Sequence, residues 1–105
     1  MDYPELEPVL ERILEVVPAQ QIILFGSRAK GQSRPDSDYD LLVVVPEHYV
    51  TLENYKALYR QLARVRRSFG VDLVLVTPEK LQRSREIWMP LYSQAQSEGQ
   101  TVYAQ

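Results

Sequence analysis

The chain has 105 residues, 45% of them apolar and 25% charged, and its 12 basic and 14 acidic side chains leave a formal charge of −2. These values predict one folded domain over residues 1–105 and exclude a disordered chain, a general nucleic-acid coat and a polybasic membrane binder. With no cysteine and a single histidine, His48, disulfide frameworks, thiolate zinc sites, cysteine nucleophiles and multi-histidine metal sites are excluded as well.

In chain order, Leu6, Val9, Leu10, Ile13, Leu14 and Val17 recur at helical spacing, so a helix is predicted from Pro4 to Val17, stopped by Pro18. Gln21–Phe25 (QIILF), ended by Gly26, predicts a short buried strand. Gly31–Ser37 (GQSRPDS) reads as loop, and Asp38–Val45 (DYDLLVVV) as a second strand stopped by Pro46. A long helix is expected over Leu52–Phe69, with Tyr55, Leu58, Leu62, Val65 and Phe69 as its apolar stripe. Arg60, Arg64 and Arg67 stack on another face of it, and Gly70 is its expected C-cap. Val71–Val76 (VDLVLV) predicts a third strand, followed by Thr77 as a cap and Pro78 as a first helical residue. The helical pattern runs on through Ile87, Trp88, Leu91, Tyr92 and Ala95 with a break expected at Pro90, and Thr101–Tyr103 predicts a last short strand after Gly99. This order predicts a mixed α/β fold with a single layer of sheet and helices packed on it. The longest strongly apolar runs, Ile22–Phe25 and Leu41–Val45, are far short of a membrane span, and the first residues form no basic or apolar leader, so a cytoplasmic protein without membrane contact is expected.

Three features fall at strand ends, where functional residues of such folds gather. Gly26-Ser27 follows the first strand directly; the glycine permits a sharp turn and close approach to a ligand, and the serine adds a hydroxyl and amide donors. With Arg28 and Lys30 next to it, the turn suits polyphosphate. Asp38-Tyr39-Asp40 opens the second strand, and carboxylates two apart on a strand face the same side with Cα atoms about 6.6 Å apart, able to converge on one or two hard cations such as magnesium. Asp72 is an acid inside an apolar run, costly there unless paired, metal-bound or at an open edge. Each feature alone fits an ordinary turn, loop or strand entry. Together they are the parts of a metal-dependent phosphoryl or nucleotidyl transfer site. A P-loop is excluded, because Gln32 stands in place of its lysine and Arg34-Pro35-Asp36 follows where its helix should start.

Gly26-Ser27, ten residues, then Asp38-Tyr39-Asp40 resembles the GS-x10-D-x-D signature of the DNA polymerase β-like nucleotidyltransferase superfamily. More narrowly, Gly26-Ser27-Arg28-Ala29-Lys30-Gly31 and Ser37-Asp38-Tyr39-Asp40-Leu41 resemble the GSxARG…SDxDL form of the minimal nucleotidyltransferases, with Lys30 where arginine is common. The resemblance spans nearly the whole chain, Asp72 matching the third carboxylate. It implies an α/β (α+β) nucleotidyltransferase fold with a small mixed sheet of three to four strands, and transfer of a nucleoside monophosphate to a hydroxyl. In the minimal family many members are antitoxins that add AMP from ATP to a tyrosine of a partner HEPN-domain ribonuclease toxin, and for this chain no direct nucleic-acid binding is expected. By the same resemblance Asp38 and Asp40 would hold magnesium, Asp72 would complete a second metal site or take the proton of the attacking hydroxyl, and Gly26, Ser27, Arg28 and Lys30 would hold the phosphates. A small-molecule or RNA-end acceptor is the enzymatic alternative. An antitoxin that neutralises its partner by binding alone is the non-catalytic one.

The remaining residues read more plainly. His48 is expected at the surface, Trp88 and Tyr92 in the core or a partner interface, and Arg60, Arg64, Arg66 and Arg67 on a solvated helix face, with docking of an acidic partner or RNA as the alternative. Strand alternation sets Leu42 and Val44 on the side of Asp38 and Asp40, and Val74 and Val76 on the side of Asp72. That sheet face is expected to receive a partner if the mouth of the site stays open, its distal part otherwise lying under the chain's own helices.

Overall fold

The computed structural model describes residues 3–25, 38–86 and 99–105, with the side chains of 84–86 outside the description. A 3₁₀ turn, Pro4–Leu6, leads into helix α1, Glu7–Val16; strands β1, Gln21–Phe25, and β2, Tyr39–Val44, follow. A second 3₁₀ turn, Glu47–Tyr49, and helix α2, Leu52–Leu62, connect to β3, Val71–Val76, then α3, Pro78–Glu86, and β4, Gln100–Ala104. The strands form one four-stranded sheet in the order β3-β2-β1-β4. β1 runs antiparallel to both β2 and β4, whereas β2 and β3 are parallel. A parallel pair needs a long crossover, and α2 supplies it. The expected mixed α/β sheet with packed helices is therefore the observed one.

Alternation along the strands divides the sheet cleanly. Ile22, Leu24, Leu41, Val43, Val71, Leu73 and Leu75 face one side, where Val9, Leu10 and Ile13 of α1 and Leu58 and Leu62 of α2 close over them. Ile23, Phe25, Leu42, Val44 and Val76 face the other side, with Leu81 of α3 and the half-buried Val74 against them. The distal part of that second face is thus core: Leu42, Val44 and Val76 are buried, and of the two readings given for it, cover by the chain's own residues is the one observed.

The strand boundaries follow local chemistry. β1 and β3 are apolar runs that begin and end where the sequence predicts. α1 begins after a Pro-rich entry that needs no amide donors and ends where Val17 turns extended ahead of Pro18. Thr51 and Thr77 cap α2 and α3, their Oγ1 atoms accepting the N–H of Asn54 and Lys80, each at 3.1 Å.

The second helix departs from expectation. It ends at Leu62, not at Phe69, and closes in tight turns in which the N–H of Arg64 and Val65 reach the carbonyls of Gln61 and Leu62. Arg67 folds back and donates from Nη1 to the carbonyl of Leu62 at 3.1 Å, taking an acceptor that a further helical turn would have used. Arg64 and Arg67 therefore lie beyond the helix, and the arginine stack of a longer helix does not form. Gly70 is not a helix cap. Among the described residues, no helix is long and apolar enough to cross a membrane. The expected break at Pro90 and the placements of Trp88 and Tyr92 lie outside the described residues.

Candidate active site

Three strand ends meet at one rim of the sheet. β1 finishes at Phe25, which pairs with Asp40 at the start of β2, and Asp40 in turn pairs with Asp72 at the start of β3. Paired residues on neighbouring strands point to the same face, so the two carboxylates stand side by side on strands about 4.8 Å apart. Their face is the one that carries Phe25, Leu42 and Val74, so they border an apolar surface. Asp72 is exposed and Asp40 is half-buried. Burial, then the negative charge of Asp72, then that of Asp38, hold the Asp40 carboxyl above its ordinary value. The rim is therefore a concentration of negative charge without an internal counter-ion in the described chain.

Tyr39 explains why the acids on either side of it face outward. Its ring is wholly buried on the opposite side of β2, edge-on to Phe69 at 4.8 Å and to Tyr3 at 6.1 Å. Its hydroxyl donates to Glu5. A strand anchored by Tyr39 in the main core must present Asp40 on the other face.

Asp38 is exposed and precedes β2, and its carboxylate is not aimed into a shared three-ligand cluster. Its Oδ1 accepts the N–H of Gly70 at 3.1 Å, while the N–H of Tyr39 donates to the Gly70 carbonyl at 2.9 Å. A Cβ on residue 70 would lie 2.5 Å from Asp38 Oδ1 and 2.9 Å from its Cγ. A side chain there would displace the Asp38 carboxylate, which is exposed and can swing away. Among the described residues no group of three Asp, Glu or His side chains closes on a common point. Asp40 and Asp72 are thus the pair the fold brings together, with Asp38 tied beside them to the entry of β3. Gly26, Ser27, Arg28 and Lys30 follow Phe25 in the chain and lie outside the described residues.

Sequence reasoning did not assign Gly70, Tyr39 or Phe69 to the site. The available signal was a glycine two residues before a strand-borne acid, which also marks a close approach.

Comparison with known proteins agrees with this architecture. The nucleotidyltransferase domain family matches residues 6–98. No curated protein matches the chain by sequence. Among solved structures, a protein from Sulfolobus solfataricus assigned as a nucleotidyltransferase superposes with a TM-score of 0.60 at 18% identity, over 97% of this chain and 79% of its own. A toxin–antitoxin structure with AMP-PNP gives a TM-score of 0.56 at 21% identity, over 94% and 73%. Spectinomycin adenyltransferase from Enterococcus faecialis, solved with ATP and spectinomycin, gives 0.64 at 16% identity. There the match covers 96% of this chain but 54% of the adenyltransferase, so this chain spans about half the length of that enzyme. At these identities the likeness is one of fold.

Proposed function

The chain belongs to the nucleotidyltransferase domain family, and from that premise we propose that it is a magnesium-dependent antitoxin of the minimal nucleotidyltransferase type, transferring AMP from ATP to a tyrosine hydroxyl of a HEPN-type ribonuclease partner and so neutralising it. The observation that carries this reading is the pairing of Asp40 with Asp72 at the rim where β1, β2 and β3 meet.

The donor set fits a hard cation. Two adjacent carboxylates and a third nearby, each raising the cost of ionising Asp40, are the arrangement a divalent ion relieves. Asp40 and Asp72, with Asp38 beside them, would hold it. Bound magnesium supplies neutralisation of the triphosphate and of the charge that grows on the leaving pyrophosphate.

The chain's own residues do the rest. Gly26 and Ser27 would offer amides and a hydroxyl to the phosphates, and Arg28 and Lys30 positive charge. The acceptor oxygen forms a bond to the α-phosphorus while the bond to the bridging oxygen breaks and pyrophosphate leaves. Asp72, exposed at the rim, would either complete the metal site or take the hydroxyl proton. Holding the hydroxyl in line lowers the barrier by several kcal/mol through proximity alone, about 7 or more in well-oriented cases. The toxin–antitoxin neighbour with AMP-PNP supports a protein partner and an adenine nucleotide. The spectinomycin adenyltransferase neighbour favours the second reading, in which a small molecule supplies the hydroxyl.

Co-expression with the product of the neighbouring gene, followed by mass analysis of that product with and without ATP, separates the readings. One or more AMP units on a tyrosine, absent with Asp72→Asn, is expected. A tight complex without mass change would favour neutralisation by binding alone, and AMP transfer only to small acceptors would favour the second reading.

A further inference from the structure

Helix α2 carries more apolar surface than the core uses. Leu58 and Leu62 are wholly buried against α1 and the sheet. Leu52, Tyr59 and Ala63 lie on a separate stripe, within about 40° of one another at about 100° per residue. Leu52 is 68% and Tyr59 42% exposed, and with Val50 they are the exposed large apolar side chains among the described residues. Leu52, Tyr55, Lys56, Tyr59, Arg60 and Ala63 line an open groove of about 800 Å³.

The groove is built and oriented. The hydroxyls of Tyr55 and Tyr59 accept the N–H groups of Leu75 and Leu73, at 2.7 and 3.0 Å, which fixes both rings over the outer edge of β3. Those bonds occupy amides that an added strand would have needed, so strand addition at this stretch is disfavoured. They also set the direction of the groove: Tyr59 stands over Leu73, next to Asp72, and Ala63 continues toward the carboxylate rim. Its charge is mainly basic. Lys56 and Arg60 line it, Glu53 is exposed one turn before Lys56 on the same flank, and Arg64 and Arg66 are exposed just past the helix end, on a chain whose formal charge is −2.

We propose that this outer face of α2 is the docking site for an acidic amphipathic helix of the partner protein, its apolar stripe on Leu52, Tyr55, Tyr59 and Ala63 and its carboxylates on Lys56 and Arg60. The proposal rests on the partner-directed reading of the site. A helix laid in an apolar groove uses anchors at such spacing, and complementary charge sets orientation and association rate. Seated here, the partner lies along the β3 edge, on the side of the sheet opposite the Asp72 carboxylate, so its acceptor hydroxyl reaches the rim by passing round that edge.

The test uses the full chain and the product of the neighbouring gene, purified separately, with affinity and AMP transfer measured in parallel for wild type, Leu52→Ser and the double variant Lys56→Glu/Arg60→Glu. These residues are exposed, so the fold is retained, which circular dichroism checks. Affinity is expected to fall about tenfold or more in each variant, with wild-type binding weakening as salt rises and transfer recovering at saturating partner. Wild-type affinity in both variants overturns the docking site while leaving the transfer reading intact if AMP still reaches the partner. Binding lost in the variants with no transfer by wild type sustains the docking site and overturns the transfer reading. Loss of self-association or of RNA binding alone, or no binding by wild type, overturns the proposal.

Discussion

Gly70 and Asp38 are far apart in sequence and touch in space, and that contact gives the site its geometry. The Gly70 amide donates to one carboxylate oxygen of Asp38, and a methyl group at residue 70 would take the place of that carboxylate. Gly70→Ala is therefore expected to push the Asp38 carboxylate away, costing about 1–2 kcal/mol of stability and lowering AMP transfer by a larger factor than that cost implies. Thermal unfolding and label transfer, compared with Asp38→Asn, check this. Wild-type transfer in Gly70→Ala would show that the position of Asp38 is immaterial. The raised Asp40 carboxyl makes a second prediction. Its folded value lies above the unfolded one, so the folded state binds the proton more tightly, and the penalty for charging it is fully present at neutral pH and disappears as pH falls toward 3.8. In EDTA, Asp40→Asn should melt higher than wild type at pH 7, with the gap closing on acidification as Asp38 and Asp72 also lose charge. A lower melting temperature for the variant at pH 7 would contradict the repulsion. Magnesium should raise the wild-type melting temperature and leave Asp40→Asn little changed.

At the scale of elements, local signals wrote some boundaries and tertiary contacts wrote others. β1 and β3 are legible because apolar runs end at Gly26 and at Thr77-Pro78. The end of α2 is not, since Ala63 to Ser68 contains no glycine or proline and the apolar spacing continues through Val65 to Phe69. Phe69 is buried, but against Tyr39 from a turn and not from a helix face. The stop is made by Arg67 bonding the Leu62 carbonyl, a long side chain returning to the backbone, which spacing cannot reveal. The edge of β3 is likewise controlled from elsewhere, by the two α2 tyrosines. Tyr55→Phe and Tyr59→Phe should each cost about 0.5–1.5 kcal/mol and selectively lower hydrogen-exchange protection at Leu75 and Leu73. Unchanged protection at those amides would mean the hydroxyls do not hold the edge.

The whole molecule joins a sheet with helices on both faces to a rim of acids that one end of that sheet assembles. The Asp-Tyr-Asp alternation led to the expectation that two acids share a face, although Asp38 precedes β2 and is held by Gly70, and Asp72 was identifiable as an acid that an apolar strand would not otherwise carry. Their adjacency was not legible, because it depends on β3 lying parallel to β2 in the order β3-β2-β1-β4, a long-range pairing brought about by the α2 crossover. That adjacency is also the centre of the functional account. Label transfer from ATP carrying phosphorus-32 at either the α- or the γ-position, with the product of the neighbouring gene as acceptor, tests it most directly. The account predicts magnesium-dependent incorporation of the α-label only, abolished by EDTA and by Asp40→Asn or Asp72→Asn in chains that remain folded. Incorporation of the γ-label, or α-label transfer surviving in either variant, would contradict it.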